Sequence, residues 1–128
     1  MALLTRELNK NSIAKDKQLG QLRPANTTAV SIYSAPTRLI NAIVKSIFIS
    51  NTTPDTALFR LFYDEDGTTF DETTSLFWDI EILKNETLVL GQEDFIGINL
   101  NTGNLGVRTS IANALTFTVF GIEVTAES

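Results

Sequence analysis

The feature that most constrains this chain is its rhythm. Short runs rich in Val, Ile, Phe and Thr recur about every 8–12 positions, separated by residues that turn the backbone, which is the pattern of an antiparallel sandwich or barrel. Within 43–50, alternation sets Val44, Ser46, Phe48 and Ser50 on one side and Ile43, Lys45, Ile47 and Ile49 on the other. Within 76–83, Leu76, Trp78, Ile80 and Ile82 form an apolar face while Phe77, Asp79 and Glu81 point away. The run 115–125 opposes Phe117 and Val119 to Phe120, Ile122 and Val124. With both faces apolar it predicts a central strand. Further strands are expected over 29–33, 56–63, 87–90, 95–100 and 106–110. The breaks fit: Asn51-Thr52-Thr53-Pro54-Asp55 fixes a loop, Asp66-Gly67 suits a tight hairpin, and Lys84-Asn85-Glu86 and Asn101 to Asn104 read as turns. No window sustains four turns of helix. The expectation is an all-β, antiparallel, jelly-roll-like β-sandwich of about eight or nine strands over residues 19–128.

Residues 1–18 read differently. They are polar, and Leu3, Leu4 and Leu8 make at most one amphipathic turn before Asn9, Asn11 and Ser12. This segment is expected to be an extended N-terminal arm. Charge supports the division. Through Arg23 there are five basic residues (Arg6, Lys10, Lys15, Lys17 and Arg23) against Glu7 and Asp16, a balance of +3. The remainder carries five basic and thirteen acidic residues, a balance of −8, which together give the −5 of the chain. A basic arm on an acidic body suits docking onto a neighbour, another copy included; a solvated tail is the plainer alternative. An acidic body argues against nucleic acid, which needs clustered Lys and Arg. The longest apolar stretch, 39–49, is broken by Asn41, Lys45 and Ser46, so no membrane-spanning helix is expected. The first ten residues reach Arg6 and Glu7 before any apolar run of signal-peptide length, so no secretory signal is expected either. Three N-x-T sequons, at Asn26, Asn51 and Asn85, are ordinary in turn-rich β chains.

Little chemistry is left to find. The chain has no Cys and no His, which removes thiolate sites, the commonest general base and the commonest metal ligand. Asp79 and Glu81, two apart on a strand, lie about 6–7 Å apart at the backbone, a spacing a glycosidase pair can use. Alternation on a half-exposed strand explains them as well. The segment from Asp64 to Glu72 offers a loose calcium site through Asp64, Asp66 and Asp71, although Phe62 breaks the EF-hand spacing; a solvated turn is the alternative. There is no phosphate loop and no nucleophile elbow. Eight Phe with Trp78, Tyr33 and Tyr63 could form a sugar-stacking platform, but most occupy core-facing positions. No cofactor is expected.

Several motifs point in one direction: Leu19-Gly20-Gln21, Ile32-Tyr33-Ser34-Ala35-Pro36, the run from Ile43 to Asn51, Leu58-Phe59-Arg60, Gly91-Gln92-Glu93-Asp94, and the closing Gly121-Ile122-Glu123-Val124. In this order they resemble small virion proteins encoded in the structural-gene clusters of tailed bacteriophages. The chain departs from that pattern after Pro36, where the family carries Gly and this sequence has Thr37-Arg38-Leu39. The resemblance implies a non-enzymatic virion structural protein, assembled in the host cytoplasm. It would be a capsid decoration or cement protein, or an accessory of neck, tail or fibre. Implied partners are the major capsid protein or tail and neck proteins, and further copies of itself in a trimer or other symmetric oligomer. A carbohydrate- or receptor-binding module is the alternative from a different class.

Overall fold

A computed structural model describes residues 12–34, 39–91 and 103–126. It contains eight strands and, among the described residues, no helix: β1 (Ser12–Leu22), β2 (Val30–Ser34), β3 (Leu39–Asn51), β4 (Ala57–Asp64), β5 (Ser75–Ile82), β6 (Thr87–Gly91), β7 (Asn104–Thr109) and β8 (Leu115–Ala126). They form two four-stranded sheets, ordered β1-β8-β3-β6 and β2-β7-β4-β5. All pairings are antiparallel: β1 with β8, β2 with β7, β3 with β6 and β4 with β5, joined laterally by β3–β8 and β4–β7. The chain is therefore one long hairpin wound round itself, the jelly-roll arrangement of a double-sheet sandwich.

The core fills the gap between the sheets. From one side come Ala42, Val44, Ile47 and Ile49 of β3 and Leu115, Phe117 and Val119 of β8. Phe59 and Leu61 of β4 and Leu105 and Val107 of β7 come from the other. Phe59 meets Phe117 edge-on at 6.2 Å and tilts against Phe77 at 6.1 Å, so three aromatic rings link the sheets. Asn51 is buried at the end of β3 with its amide saturated. Its Nδ2 donates to the carbonyls of Asp55 (2.8 Å) and Ile82 (3.0 Å), and its Oδ1 accepts from Thr53 N and Oγ1. This sequon is consumed by the fold. At Gly121 a Cβ would strike the Ile43 carbonyl and the Leu19 side chain, so the β1–β8–β3 approach depends on that missing atom.

Three expectations need correcting. First, the boundary expected at residue 18 falls inside β1: Ser12 to Gln18 pair with Ala126 to Phe120. Ala14 through Gln18 are all exposed, so this part of the strand carries no apolar alternation and pairs through its backbone ladder at a sheet edge, whereas Leu19 and Leu22 further along pack on the core. Residues 1–11 lie outside the described residues, as does the strand expected at 95–100. Second, the alternations over 43–50 and 76–83 each change phase at a bulge. Between Val44 and Ser46 the register slips, so Val44 joins Ile47 and Ile49 in the core while Phe48 turns outward. In β5, Trp78 and Asp79 lie between the pairings Leu61–Phe77 and Phe59–Ile80, and Asp79 adopts φ 52°. Phe77 therefore packs on the core while Leu76 and Trp78 are exposed. Third, Asp66-Gly67 does not make a tight hairpin; the β4–β5 connection runs over 65–74.

Candidate interaction site

The outer face of the β2-β7-β4-β5 sheet carries the densest set of polar and aromatic groups. Arg60 of β4 and Arg108 of β7 are direct cross-strand partners, a like-charge juxtaposition that would be unfavourable alone. The β5 bulge resolves it. By turning into a left-handed conformation, Asp79 presents its carboxylate to both. Arg60 Nε donates to Oδ1 at 2.6 Å and Nη2 to Oδ2 at 3.1 Å, a two-pronged pair, while Arg108 Nη1 lies 3.6 Å from Oδ1. Hydrogen bonding from Arg60, with the charges of both guanidinium groups, holds the Asp79 carboxyl below its ordinary value against a smaller opposing effect of burial. Asp79 is thus held by two guanidinium groups, an arrangement that a structural tie on a half-exposed strand accounts for. The Arg60 guanidinium also lies 3.5 Å over the Trp78 ring.

Beneath this cluster the 65–74 loop folds back on the sheet. Phe62 is buried although it points away from the core, because Phe70 (5.7 Å) and the edge of Trp78 (6.1 Å) enclose it. The Phe70 ring rests on Gly106, where a Cβ would come within 2.7 Å of it. The loop is fixed by the residues considered for calcium. Asp64 accepts from the Thr69 N–H (2.7 Å) and the Asp66 N–H (3.3 Å). Asp71 accepts from Thr73 N (2.9 Å) and Oγ1 (2.6 Å), and the Thr73 bonds pull its carboxyl below the usual range. Asn104 Nδ2 donates to the Gly67 carbonyl at 2.7 Å. Asp64 and Asp71 thus act as turn-forming acceptors. Among the described residues no group of three or more acidic side chains converges as a metal site requires.

Of the five basic residues at the start of the chain, three are among the described residues. Arg6 and Lys10 lie outside the described residues. Lys15 is exposed on β1, Lys17 Nζ pairs with Glu123 Oε1 at 3.1 Å, and Arg23 Nε donates to the Asn113 carbonyl at 2.7 Å. An open hollow of about 370 Å³ lies beside β1, bounded by Asp16, Lys17, Gln18, Lys45, Phe120 and Gly121.

Two exposed apolar regions remain. On the outer face of the β1-β8-β3-β6 sheet, Phe48 and Phe120 meet edge-to-face at 5.6 Å, next to exposed Val89. Along β5, an edge strand, Leu76 (44% exposed), Trp78 (38%) and Ile80 (36%) are followed by Leu83 (46%). Sequence alternation had placed Leu76, Trp78 and Ile80 inside. The bulge that turns Trp78 outward leaves no signature except the acidic residue placed opposite Arg60.

No family model matches this sequence, and no curated protein matches it. Solved structures do. A chain of the infectious bursal disease virus particle superposes with a TM-score of 0.52 at 10% identity, over 89% of this chain and 31% of that one. The coat protein of tobacco streak virus aligns over 90% of this chain and 86% of its own, at 7% identity and a TM-score of 0.40, too low to carry weight. This chain spans about a third of the length of the virus-particle chain it matches. The likeness is one of fold alone.

Proposed function

We propose that this chain is a non-enzymatic structural protein of a virion, and specifically a decoration or cement protein on the capsid of a tailed bacteriophage. The observation that carries the reading is the wound hairpin itself, with strand order β1-β8-β3-β6 over β2-β7-β4-β5, shared in fold with a chain of a viral particle. The chemistry agrees. Without His or Cys, the common acid–base groups left are carboxylates, and of these Asp79 is engaged by an arginine and Asp64 and Asp71 by turn donors. What the surface offers instead is contact area: the Phe48–Phe120–Val89 face and the β5 edge. Its partners would be the major capsid protein and further copies of itself, a trimer being one closed form; nucleic acid and membrane are not among them. Assembly would take place in the host cytoplasm.

Copy number in purified particles tests this, by imaging or quantitative protein mass analysis. Copies spread over the head support decoration, whereas a few near one vertex support the neck or tail accessory version. Absence from particles would refute both. A glycan-binding module is less well supported: Phe48 and Phe120 lie on one sheet and Trp78 on the other, with Arg60 over the Trp78 ring.

A further inference from the structure

Strand β1 is held in two different ways on the two sides of a bulge. Residues 19–23 are anchored by side chains. Leu19 and Leu22 pack on the core, Gln21 Nε2 donates to Thr118 Oγ1 at 3.0 Å, and Arg23 Nε donates to the Asn113 carbonyl at 2.7 Å. Residues 12–18 pair with Ala126 to Phe120 of β8 through the backbone ladder, and Ala14 through Gln18 are all exposed. Among the described residues one side-chain tie holds this half, Lys17 Nζ to Glu123 Oε1 at 3.1 Å. Between the halves the register slips at Leu19, the extra residue of the bulge and a natural hinge.

The receiving edge of β8 stays built when that half leaves. Tyr33 donates to Glu123 Oε2 at 2.6 Å from the opposite sheet, so the carboxylate keeps its place with its other oxygen free for a lysine. Segment and edge also match in charge: 12–18 carries Lys15 and Lys17 against Asp16, and 120–126 carries Glu123 alone. A second copy offers the same edge and the same carboxylate. Exchange therefore remakes each bond that it breaks, the condition under which identical chains trade an element at low cost. Seven extended residues span about 23 Å, enough to follow the whole 120–126 edge of a neighbour. What exchange adds is contact between copies. The exchanged ladder ends at the pair Gln18–Phe120, which brings the donor's hinge to Phe120, beside exposed Phe48 and Val89.

We infer that residues 12–18 exchange between copies: the segment swings out at Leu19 and pairs with Phe120 to Ala126 of a second copy, placing Lys17 on that copy's Glu123. This rests on the reading of the chain as an assembling structural protein and names the contact between its copies. The closed monomer and the exchanged form share this ladder and differ in which chain supplies it.

The chain has no Cys, so introduced thiols report the pairing without interference. Asp16 and Ile122 are partners across the β1–β8 ladder. Full-length Asp16→Cys chains mixed with Ile122→Cys chains should, on mild oxidation, form a disulfide between positions 16 and 122 of different chains. Peptide mass analysis should find it in excess over the 16–16 and 122–122 products, with a yield that rises with protein concentration. Both substitutions in one chain, oxidised at high dilution, should lock the strand at home. The locked chain should stay monomeric in sedimentation where the unsubstituted chain associates, keep its β-sheet circular dichroism spectrum, and associate again on reduction. The exchange is overturned if the mixture gives the three products in the proportions of random collision. It is equally overturned if the locked chain associates like the unsubstituted one, or if the unsubstituted chain is monomeric throughout. If the double variant loses its β-sheet spectrum, the mixture of single variants decides alone. Recovery from purified particles is scored separately: an unsubstituted chain absent from them sinks the virion reading, while the disulfide pattern in free solution still decides the exchange.

Discussion

Tyr33 reaches across the sandwich to Glu123: its hydroxyl, on β2 of one sheet, donates to Oε2 on β8 of the other at 2.6 Å. Lys17 holds the second carboxylate oxygen from β1 at 3.1 Å. This is a side-chain tie between the two layers at a point where the rest of the contact is apolar. Burial drives the Tyr33 hydroxyl well above its usual value, and the bond to Glu123 and that residue's charge raise it further. For Glu123, burial pushes the carboxyl up, but the bonds from Tyr33 and Lys17 and the Lys17 charge outweigh it, leaving a net lowering.

The pH dependence follows with its sign. A carboxyl lowered by folding stabilises above its unfolded value of 4.5 and loses that contribution as pH falls through the folded value. A phenol raised by folding stabilises below its unfolded value of 10.0 and loses that contribution at higher pH. Tyr33→Phe should cost about 1–3 kcal/mol at neutral pH, since it removes the donor to one oxygen of a largely buried carboxylate and leaves only Lys17 on the other, and should flatten the alkaline loss. Urea midpoints measured across pH for both proteins check this. An unchanged alkaline limb in the variant would contradict it.

The two classes of Phe should separate cleanly. Phe117→Ala empties a fully buried site between the sheets and should cost about 3–5 kcal/mol. Phe48→Ser and Phe120→Ser, on the outer face, should each stay within about 1 kcal/mol. On the reading proposed above, that pair should nonetheless weaken attachment to particles, measured by co-sedimentation of the variants with particles lacking the protein.

Gly106 and Phe70 form a lid on Phe62. Gly106→Ala places a methyl group against the Phe70 ring, and overpacking of this kind costs about 1–3 kcal/mol. The 65–74 loop should lift, and limited proteolysis within it should accelerate relative to the wild-type chain. If cleavage elsewhere rises equally, the effect is global and the lid account fails.

Calcium should do nothing. With the Asp64 and Asp71 carboxylates accepting backbone and threonine donors, millimolar calcium or a chelator is expected to leave the thermal midpoint where it is. A ligand that binds only the folded state raises that midpoint with concentration, so a dose-dependent rise would restore the metal reading.

The sandwich could be read from the sequence because alternation and turn chemistry are local. Ile47, Ile49, Phe117 and Val119 lie where period-two patterning puts them, and β8 is central, as its two apolar faces require. Position along a strand does not determine phase once a bulge intervenes. Val44 and Trp78 each ended on the face opposite the expected one, for want of a sequence mark at the slip. Strand β1 was invisible for another reason. Ala14 to Gln18 face solvent, so nothing but pairing with the distant β8 makes them a strand. The Arg60–Asp79–Arg108 cluster combines both difficulties, joining three strands through one bulged residue.

The wound hairpin has a consequence for how the molecule comes to exist. Gln21 and Thr118, which meet through a 3.0 Å hydrogen bond, are 97 residues apart in the chain. A topology dominated by such distant partners folds slowly, on the order of milliseconds to seconds. During synthesis the inner β4–β5 pair can form early, but β1 and β3 wait for β8, the eighth of the described strands in chain order. Until then Val44, Ile47 and Ile49 face water on a half-built sheet. A nascent chain stalled before Leu115 should therefore be captured by chaperones, and emergence of the twelve-residue β8 is the step that covers the exposed edge of β3.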